Sequence, residues 1–278
     1  MSAASDLSPS TLFGLSGKTA LVTGGASGVG AMAAAGLVAA GAHVIIASRN
    51  GQACEEAAAA LNAAGPGSAE GLSGDVSTKE GVEALADAVG LRAPRLSILV
   101  NNAGRSWGTA LEAFPFAAWD RVMSLNVAGL FTLTQALLPN LTAAASQDDP
   151  ARVVNVGSVM GEVPMGDGSY SYSASKAAVH HLTRILAKEL APRRITVNAL
   201  APGPFVSKMT AFATQNEATR ERVGAQVPLG RVGQDADIAA ALQYLCGRGG
   251  AYVTGAILPI SGGINVETGP PIFAEAGQ

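Results

Sequence analysis

The sequence predicts one α/β domain built on a doubly wound, seven-stranded parallel sheet with helices on both faces. Three observations predict it. Short β-rich runs alternate with longer helical patterns along most of the chain, the β-rich runs are continuously apolar, and no Pro/Ser-rich linker or internal repeat divides them. Strands covered on both faces lose the alternation of apolar and polar residues, and a strand–helix–strand succession makes neighbouring strands parallel with right-handed crossovers. The predicted strands are Thr19–Val22, Val44–Ala47, Gly71–Asp75, Ile98–Asn101, Arg152–Val156, Ile195–Leu200 and Ala256–Ile260. Helices are predicted near 29–40, 52–64, 79–90, 117–139, 172–190 and 235–247. The two ends, residues 142–150 and residues 202–234 are predicted to be irregular from their turn-forming composition.

Composition excludes several functional classes. Of the 278 residues 48% are hydrophobic and 14% charged, which supports a buried core and argues against disorder. A net charge of −3 offers no basic field for nucleic acid. The most apolar stretches are broken by Gly, Pro or charge before the roughly 20 residues a bilayer requires, so no membrane partner is expected. Cys54 and Cys246, with His43, His180 and His181, show neither a disulfide framework nor metal-ligand spacing. Met1–Ser16 contains Asp6 and Pro9 and no apolar core of a secretory signal, so a reducing, cytoplasmic location is expected. The 34 glycines signal tight turns and close packing.

The first predicted strand runs into Thr23-Gly24-Gly25-Ala26-Ser27-Gly28-Val29-Gly30 and then an alanine-rich helix. Glycines at such a turn let the backbone approach a pyrophosphate and aim helix N-terminal N–H groups at it, or serve only close helix–sheet packing. The second strand ends in Ser48-Arg49-Asn50. A carboxylate there would bind a ribose 2′-hydroxyl; Arg49 suits a 2′-phosphate, which favours NADP(H) over NAD(H). Gly74-Asp75-Val76 closes the third strand, where Asp75 either holds an adenine amino group or caps the next helix. Asn101-Asn102-Ala103-Gly104 ends the fourth strand at the carboxyl edge of the sheet, where open α/β folds bind ligands, or forms an Asn-stabilised turn.

Tyr172 and Lys176 are four residues apart at the start of a helix, which puts phenol and ammonium on one face. A neighbouring cation lowers the pKa of a tyrosine toward use in acid–base chemistry, while an isolated pair of this kind is also an ordinary surface contact. Tyr170 has Ala174 four residues on and no such partner. Ser158 ends the fifth strand and Asn126 lies in the long predicted helix.

In this order the motifs resemble the short-chain dehydrogenase/reductase family over nearly the whole chain. The resemblance implies a Rossmann fold over 15–263, with an N-terminal extension, 1–14, and a C-terminal tail, 264–278. It assigns Thr23–Gly30 as the cofactor loop, Asn101–Gly104 as the N-N-A-G motif, and Asn126, Ser158, Tyr172 and Lys176 as the catalytic tetrad. Ala201-Pro202-Gly203-Pro204-Phe205-Val206-Ser207 resembles the family's P-G turn, with Ser207 at the nicotinamide carboxamide. The implied cofactor contacts are Gly24, Ser27, Gly28, Val29, Gly30, Arg49, Asp75, Val76, Asn102, Ala103, Gly104, Tyr172, Lys176, Pro202, Gly203, Val206 and Ser207. Segments around Ser106-Trp107-Gly108, Pro150–Arg152, Leu186–Leu190 and Ala251–Gly255 resemble NADPH-dependent β-ketoacyl reductases within the family.

The sequence departs from the family pattern at Ser27, where NADP-preferring members often carry a basic residue, and at Ser261-Gly262-Gly263, where Asp-Gly-Gly is usual. By resemblance, Tyr172 donates a proton to a ketone as hydride arrives, Ser158 positions the carbonyl, Asn126 holds a relay water, and Lys176 binds ribose and lowers the Tyr172 pKa. Trp107, Met160, Val163, Met165, Phe205, Met209 and Phe212 are expected near the mouth of the site, an apolar pocket for bulky ketones or β-ketoacyl groups. Oxidation of a sugar, steroid or polyol alcohol, and dinucleotide sensing without turnover, are the rival expectations. A homotetramer or dimer through helices 117–139 and 172–190 and the last strand is implied.

Overall fold

The computed structural model describes residues 6–165, 168–207, 209–210, 214 and 216–266. Seven strands form one sheet: β1 (Thr19–Thr23), β2 (His43–Ser48), β3 (Ser68–Ser73), β4 (Ile98–Asn101), β5 (Ala151–Val156), β6 (Ile195–Pro202) and β7 (Ile257–Ile260). All neighbours are parallel, in the order β3-β2-β1-β4-β5-β6-β7. The order reverses between β1 and β4, so a crevice opens at their carboxyl ends. The fold class and the seven-stranded parallel sheet expected from the sequence are what the structure shows.

The strands are apolar throughout because each face is covered. Alternate residues enter different layers: Val22, Ile46 and Val100 meet α2 (Gly28–Ala39) and the helix Asp235–Cys246, while Leu21, Ile45 and Leu99 meet α4 (Lys79–Arg92) and the helices after β4. Gly36 lets α2 close on that helix, since a Cβ there would stand 2.7 Å from the Ala239 Cα. Cys54 and Cys246 are buried, free thiols.

The structure departs from the predicted elements at several places. β3 starts at Ser68 and ends at Ser73, three residues before the predicted Gly71 and two before Asp75, because Ser68–Ser73 pair in register with His43–Ser48. Asp75 falls in the turn beyond, and Thr78 caps α4 by accepting from the Gly81 N–H at 3.1 Å, so Asp75 is not the cap. The helix predicted near 117–139 is broken into α5 (Phe116–Met123), a π-turn (Ser124–Gly129), α6 (Leu130–Ala136) and α7 (Leu138–Ala144). Pro139 stands at the start of α7, and a π-turn inside a helix often marks a functional position. The ends predicted irregular hold short helices: α1 (Pro9–Phe13) capped by Ser8, and a 3₁₀ turn at Ile264–Val266. A further helix, Glu217–Gly224, forms within 202–234.

A buried polar chain ties the layers beneath the crevice. The Asn101 amide donates to Thr134 Oγ1 at 3.0 Å and to Asn155 Oδ1 at 2.9 Å, and Asn155 donates to Thr183 Oγ1 at 2.9 Å. It joins α6, β4, β5 and α8 (Tyr170–Leu190); α8 carries Tyr172 and Lys176, Ser158 follows β5, and the turn holding Asn126 leads into α6. Buried polar groups linked in this way specify one arrangement because leaving any of them unpaired is costly.

Candidate active site

The Gly-rich loop between β1 and α2 is held from below by the fourth strand. Thr23 Oγ1 accepts from the Asn102 and Ala103 N–H groups at 3.0 and 3.1 Å. The Asn102 amide donates to the Thr23 and Gly24 carbonyls at 2.9 and 3.2 Å. Asn102, expected to touch the cofactor, has its side chain fastened to the loop. Gly24 (φ 64°) and Gly28 (φ 54°) take backbone conformations that favour glycine, and a Cβ at Gly30 would stand 2.3 Å from the Gly24 carbonyl oxygen. Ser27 precedes α2 without a side-chain cap bond, and no acidic residue occupies the first turn. The first-turn N–H groups are therefore free for an anion. Gly28 faces Ser207, whose Cβ would be 2.9 Å from a Cβ at Gly28, so the turn after β6 lies over the loop.

A cavity of about 160 Å³ opens beside this loop, lined by Gly24, Ser48, Arg49, Asp75, Val76 and Gly104 among others. The Asp75 carboxyl is held below its usual range, chiefly by the Ser77 hydroxyl, with Arg49 and Arg105 adding attraction. Arg49 is exposed. The uncapped helix end, the glycine cradle and the guanidinium at the rim fit a dinucleotide carrying a 2′-phosphate.

The other half of the site stands on β5 and α8. Tyr172, Lys176 and His180 lie one turn apart on the face of α8 turned to the end of β5, where Ser158 follows. Lys176 is buried; its ammonium donates to the Val156 carbonyl at 2.6 Å and lies 5.6 Å from the Tyr172 ring centre. Burial pushes the Lys176 pKa down to about 8. Burial raises that of Tyr172, against a smaller downward pull from its hydrogen bond with Ser158. Desolvation therefore dominates at Tyr172 in this structure.

Asn126 sits in the π-turn, with both amide hydrogens committed, to the Arg105 carbonyl at 3.0 Å and to Ser175 Oγ at 2.9 Å, while its Oδ1 accepts from the Arg105 N–H at 2.9 Å. Its amide hydrogens fix the turn. Ser175 in turn donates to the Tyr172 carbonyl at 2.7 Å, so Asn126 and Tyr172 are linked through one hydroxyl.

The expected pocket residues separate into three groups. Trp107 and Met209 are exposed. Met160, Val163 and Met165 are half-buried around Val159, Val227 and Ile264, so the chain after Ser158 is pinned by the turn that follows β7, a contact between segments about 100 residues apart that no local pattern announces. Phe205 is a correction: at 3% exposure it belongs to the main core, its ring against Gly233, and it borders a separate cavity of about 590 Å³ between Pro204, Leu229, Arg231 and Gly262. The candidate catalytic side chains do not line that cavity. Phe212 lies outside the described residues. The loop-anchoring role of Thr23 and the place of His180 beside Ser158 carry no sequence signal, since a histidine pair within a helix has no motif of its own.

A Gly-rich strand–turn–helix facing a Ser–Tyr–Lys cluster across a parallel sheet defines a dinucleotide-dependent oxidoreductase. The chain belongs to the short chain dehydrogenase family, whose pattern it matches over residues 18–218. It is 46% identical over 254 residues to the rhamnolipids biosynthesis 3-oxoacyl-[acyl-carrier-protein] reductase of Pseudomonas aeruginosa, covering 91% of this chain and 98% of that protein. It is 39% identical over 258 residues to the galactitol 2-dehydrogenase (L-tagatose-forming) of Cereibacter sphaeroides, covering 92% and 98%. Among solved structures, the Pseudomonas aeruginosa RhlG/NADP active-site complex superimposes with a TM-score of 0.89 at 46% identity, covering 92% of this chain and 99% of that one. Among the described residues no single helix is long and apolar enough to cross a membrane, and no group of metal-ligating side chains gathers.

Proposed function

We propose that the protein is an NADPH-dependent ketoreductase that reduces the ketone of β-ketoacyl thioesters or esters, or of other bulky ketones, to a secondary alcohol. The observation that carries this reading is Tyr172 and the buried Lys176 on one face of α8 beside Ser158, with the ammonium 5.6 Å from the phenol ring centre. A reduction consumes a proton at the carbonyl oxygen, and the phenol O–H is the donor placed to supply it. Likeness to the reductase of Pseudomonas aeruginosa supports a β-ketoacyl substrate, and the likeness of that structure, named as an NADP complex, supports NADP(H).

When bound, the reduced nicotinamide supplies the hydride. The glycine loop and the α2 N-terminus hold the pyrophosphate, Arg49 the 2′-phosphate, and Asp75 and Val76 the adenine. Ala103, Gly104, Pro202, Gly203, Val206 and Ser207 border the nicotinamide end, and the Lys176 ammonium serves the ribose hydroxyls. Ser158 Oγ donates to the ketone oxygen while Tyr172 Oη delivers its proton to that same atom. Donors already oriented toward the oxygen meet its developing charge without reorganising. Trp107, Met160, Met165 and Met209 form the apolar approach for the acyl chain.

The protein acts in the cytoplasm as a homotetramer or dimer. Exposed Phe116, Phe131 and Ile185 on α5, α6 and α8, with the half-exposed edge strand β7, support association through those elements. The test is NADPH consumption against acetoacetyl ester, a β-ketoacyl thioester and simple ketones, with oxidation of galactitol and a steroid alcohol by NADP⁺ alongside. Faster turnover of the β-ketoacyl compounds is expected. Preference for the polyol would replace the substrate assignment, and turnover of nothing would leave a dinucleotide sensor.

A further inference from the structure

His180 is buried directly behind the catalytic serine, and none of the assigned roles uses it. The loop Gly157-Ser158-Val159-Met160-Gly161 wraps its imidazole. A Cβ on Gly157 would stand 2.1 Å from His180 Nε2, and a Cβ on Gly161 would stand 2.9 Å from His180 Cε1. Neither glycine has the positive φ that favours its residue type; the ring takes the space a Cβ would need, together with the α8 backbone at Gly161 and the Leu200 carbonyl at Gly157. The Ser158 N–H points to Nε2 at 3.5 Å, a long hydrogen bond. An Nε2 that accepts leaves the hydrogen on Nδ1, which faces Glu162 Oε1 at 3.4 Å without hydrogen-bond alignment. One imidazole thus touches the residue before the catalytic serine, the serine's own amide and the turn after it.

We propose that His180 is a positioning residue: its neutral ring, seated between Gly157 and Gly161, sets where the Ser158 hydroxyl stands against the Tyr172 phenol. This deepens the ketoreductase reading and rests on it. Burial and the nearby Lys176 and Arg184 charges keep the ring neutral, with its pKa pushed down to about 4. Ångström-scale misplacement of a catalytic group costs large factors in rate even when binding survives. His180 touches no reacting atom, so its effect must appear in kcat.

The test uses the full chain, with kcat for acetoacetyl ester at saturating NADPH, the NADPH Kd from nucleotide fluorescence, and the melting temperature. His180→Phe, which keeps a ring and loses the acceptor, is expected to lower kcat about tenfold with the Kd unchanged. His180→Gln, which returns an acceptor near Nε2, is expected to recover most of that loss. Gly157→Ala places a methyl against the ring and is expected to lower kcat about tenfold, whereas Gly157→Ala with His180→Ala removes the clash and recovers at least about threefold over Gly157→Ala alone. If His180→Phe does not fold, the Gly157 cycle decides by itself. Full kcat in His180→Phe, or simple additivity in the cycle, overturns the proposal while a wild type that reduces the ketone leaves the ketoreductase reading standing. A wild type that reduces no ketone overturns both.

Discussion

The two halves of the site are held by different forces. The nucleotide half, from β1 to β4, is fastened by polar bonds between backbone and short side chains: Thr23 and Asn102 clamp the loop, and Gly24, Gly28 and Gly30 leave no room for a side chain. The substrate half, after β5 and β6, rests on apolar contacts among Met160, Val163, Val227 and Ile264, with Trp107 and Met209 open to solvent. Hydrogen-bond geometry is directional and tolerates little change, whereas apolar packing accepts many shapes. The difference teaches where specificity for the nucleotide and latitude for the ketone come from. His180 lies within the second half, behind Ser158.

His180 gives the largest expected effect. The unfolded chain binds a proton at His180 near the ordinary 6.5, whereas the folded chain refuses it until about 4. The unfolded state therefore holds more protons between those values, and stability is full above 6.5 and lost as pH falls toward 4. Urea unfolding of wild type and His180→Phe at pH 7 and at pH 4 should show the wild type losing up to about 3 kcal/mol more over that interval. Equal losses would mean that His180 does not report burial against Lys176 and Arg184.

Gly30→Ala comes next. Its methyl would meet the Gly24 carbonyl oxygen at 2.3 Å and the Asn102 amide nitrogen at 2.4 Å, so the clamp must open. NADPH affinity is expected to fall about 100-fold, near 2.7 kcal/mol, by fluorescence titration. An unchanged affinity would break the contrast between a rigid nucleotide half and a tolerant substrate half. Arg49→Ala is expected to raise the KM for NADPH about tenfold and leave that for NADH alone, since a single exposed guanidinium carries the 2′-phosphate contact. Equal effects on both nucleotides would remove that contact from the account.

Much of this was legible in the sequence, and the reason is the same contrast. Turns that bring backbone against a nucleotide require glycine, asparagine and threonine at fixed spacing, so Thr23–Gly30 and Asn101–Gly104 stood out, as did the Tyr172–Lys176 pair on one helix face. The continuous apolar strands gave away the two-sided sheet. What stayed hidden was set by contacts distant in the chain. The end of β3 follows its register with β2, the π-turn around Asn126 follows the approach of Gly129 to the Val76 carbonyl, where a Cβ would stand 2.0 Å away, and Phe205 is claimed by the core through Gly233. His180 carried no signal because its meaning depends on two glycines some 20 residues earlier in the chain.

Tyr172→Phe measures the central claim most directly, because it removes one oxygen and leaves the ring in place. With a β-ketoacyl ester that the wild type reduces, kcat is expected to fall by about 10³ or more while NADPH binding by fluorescence titration is retained. Retention of most of the wild-type rate would contradict the account.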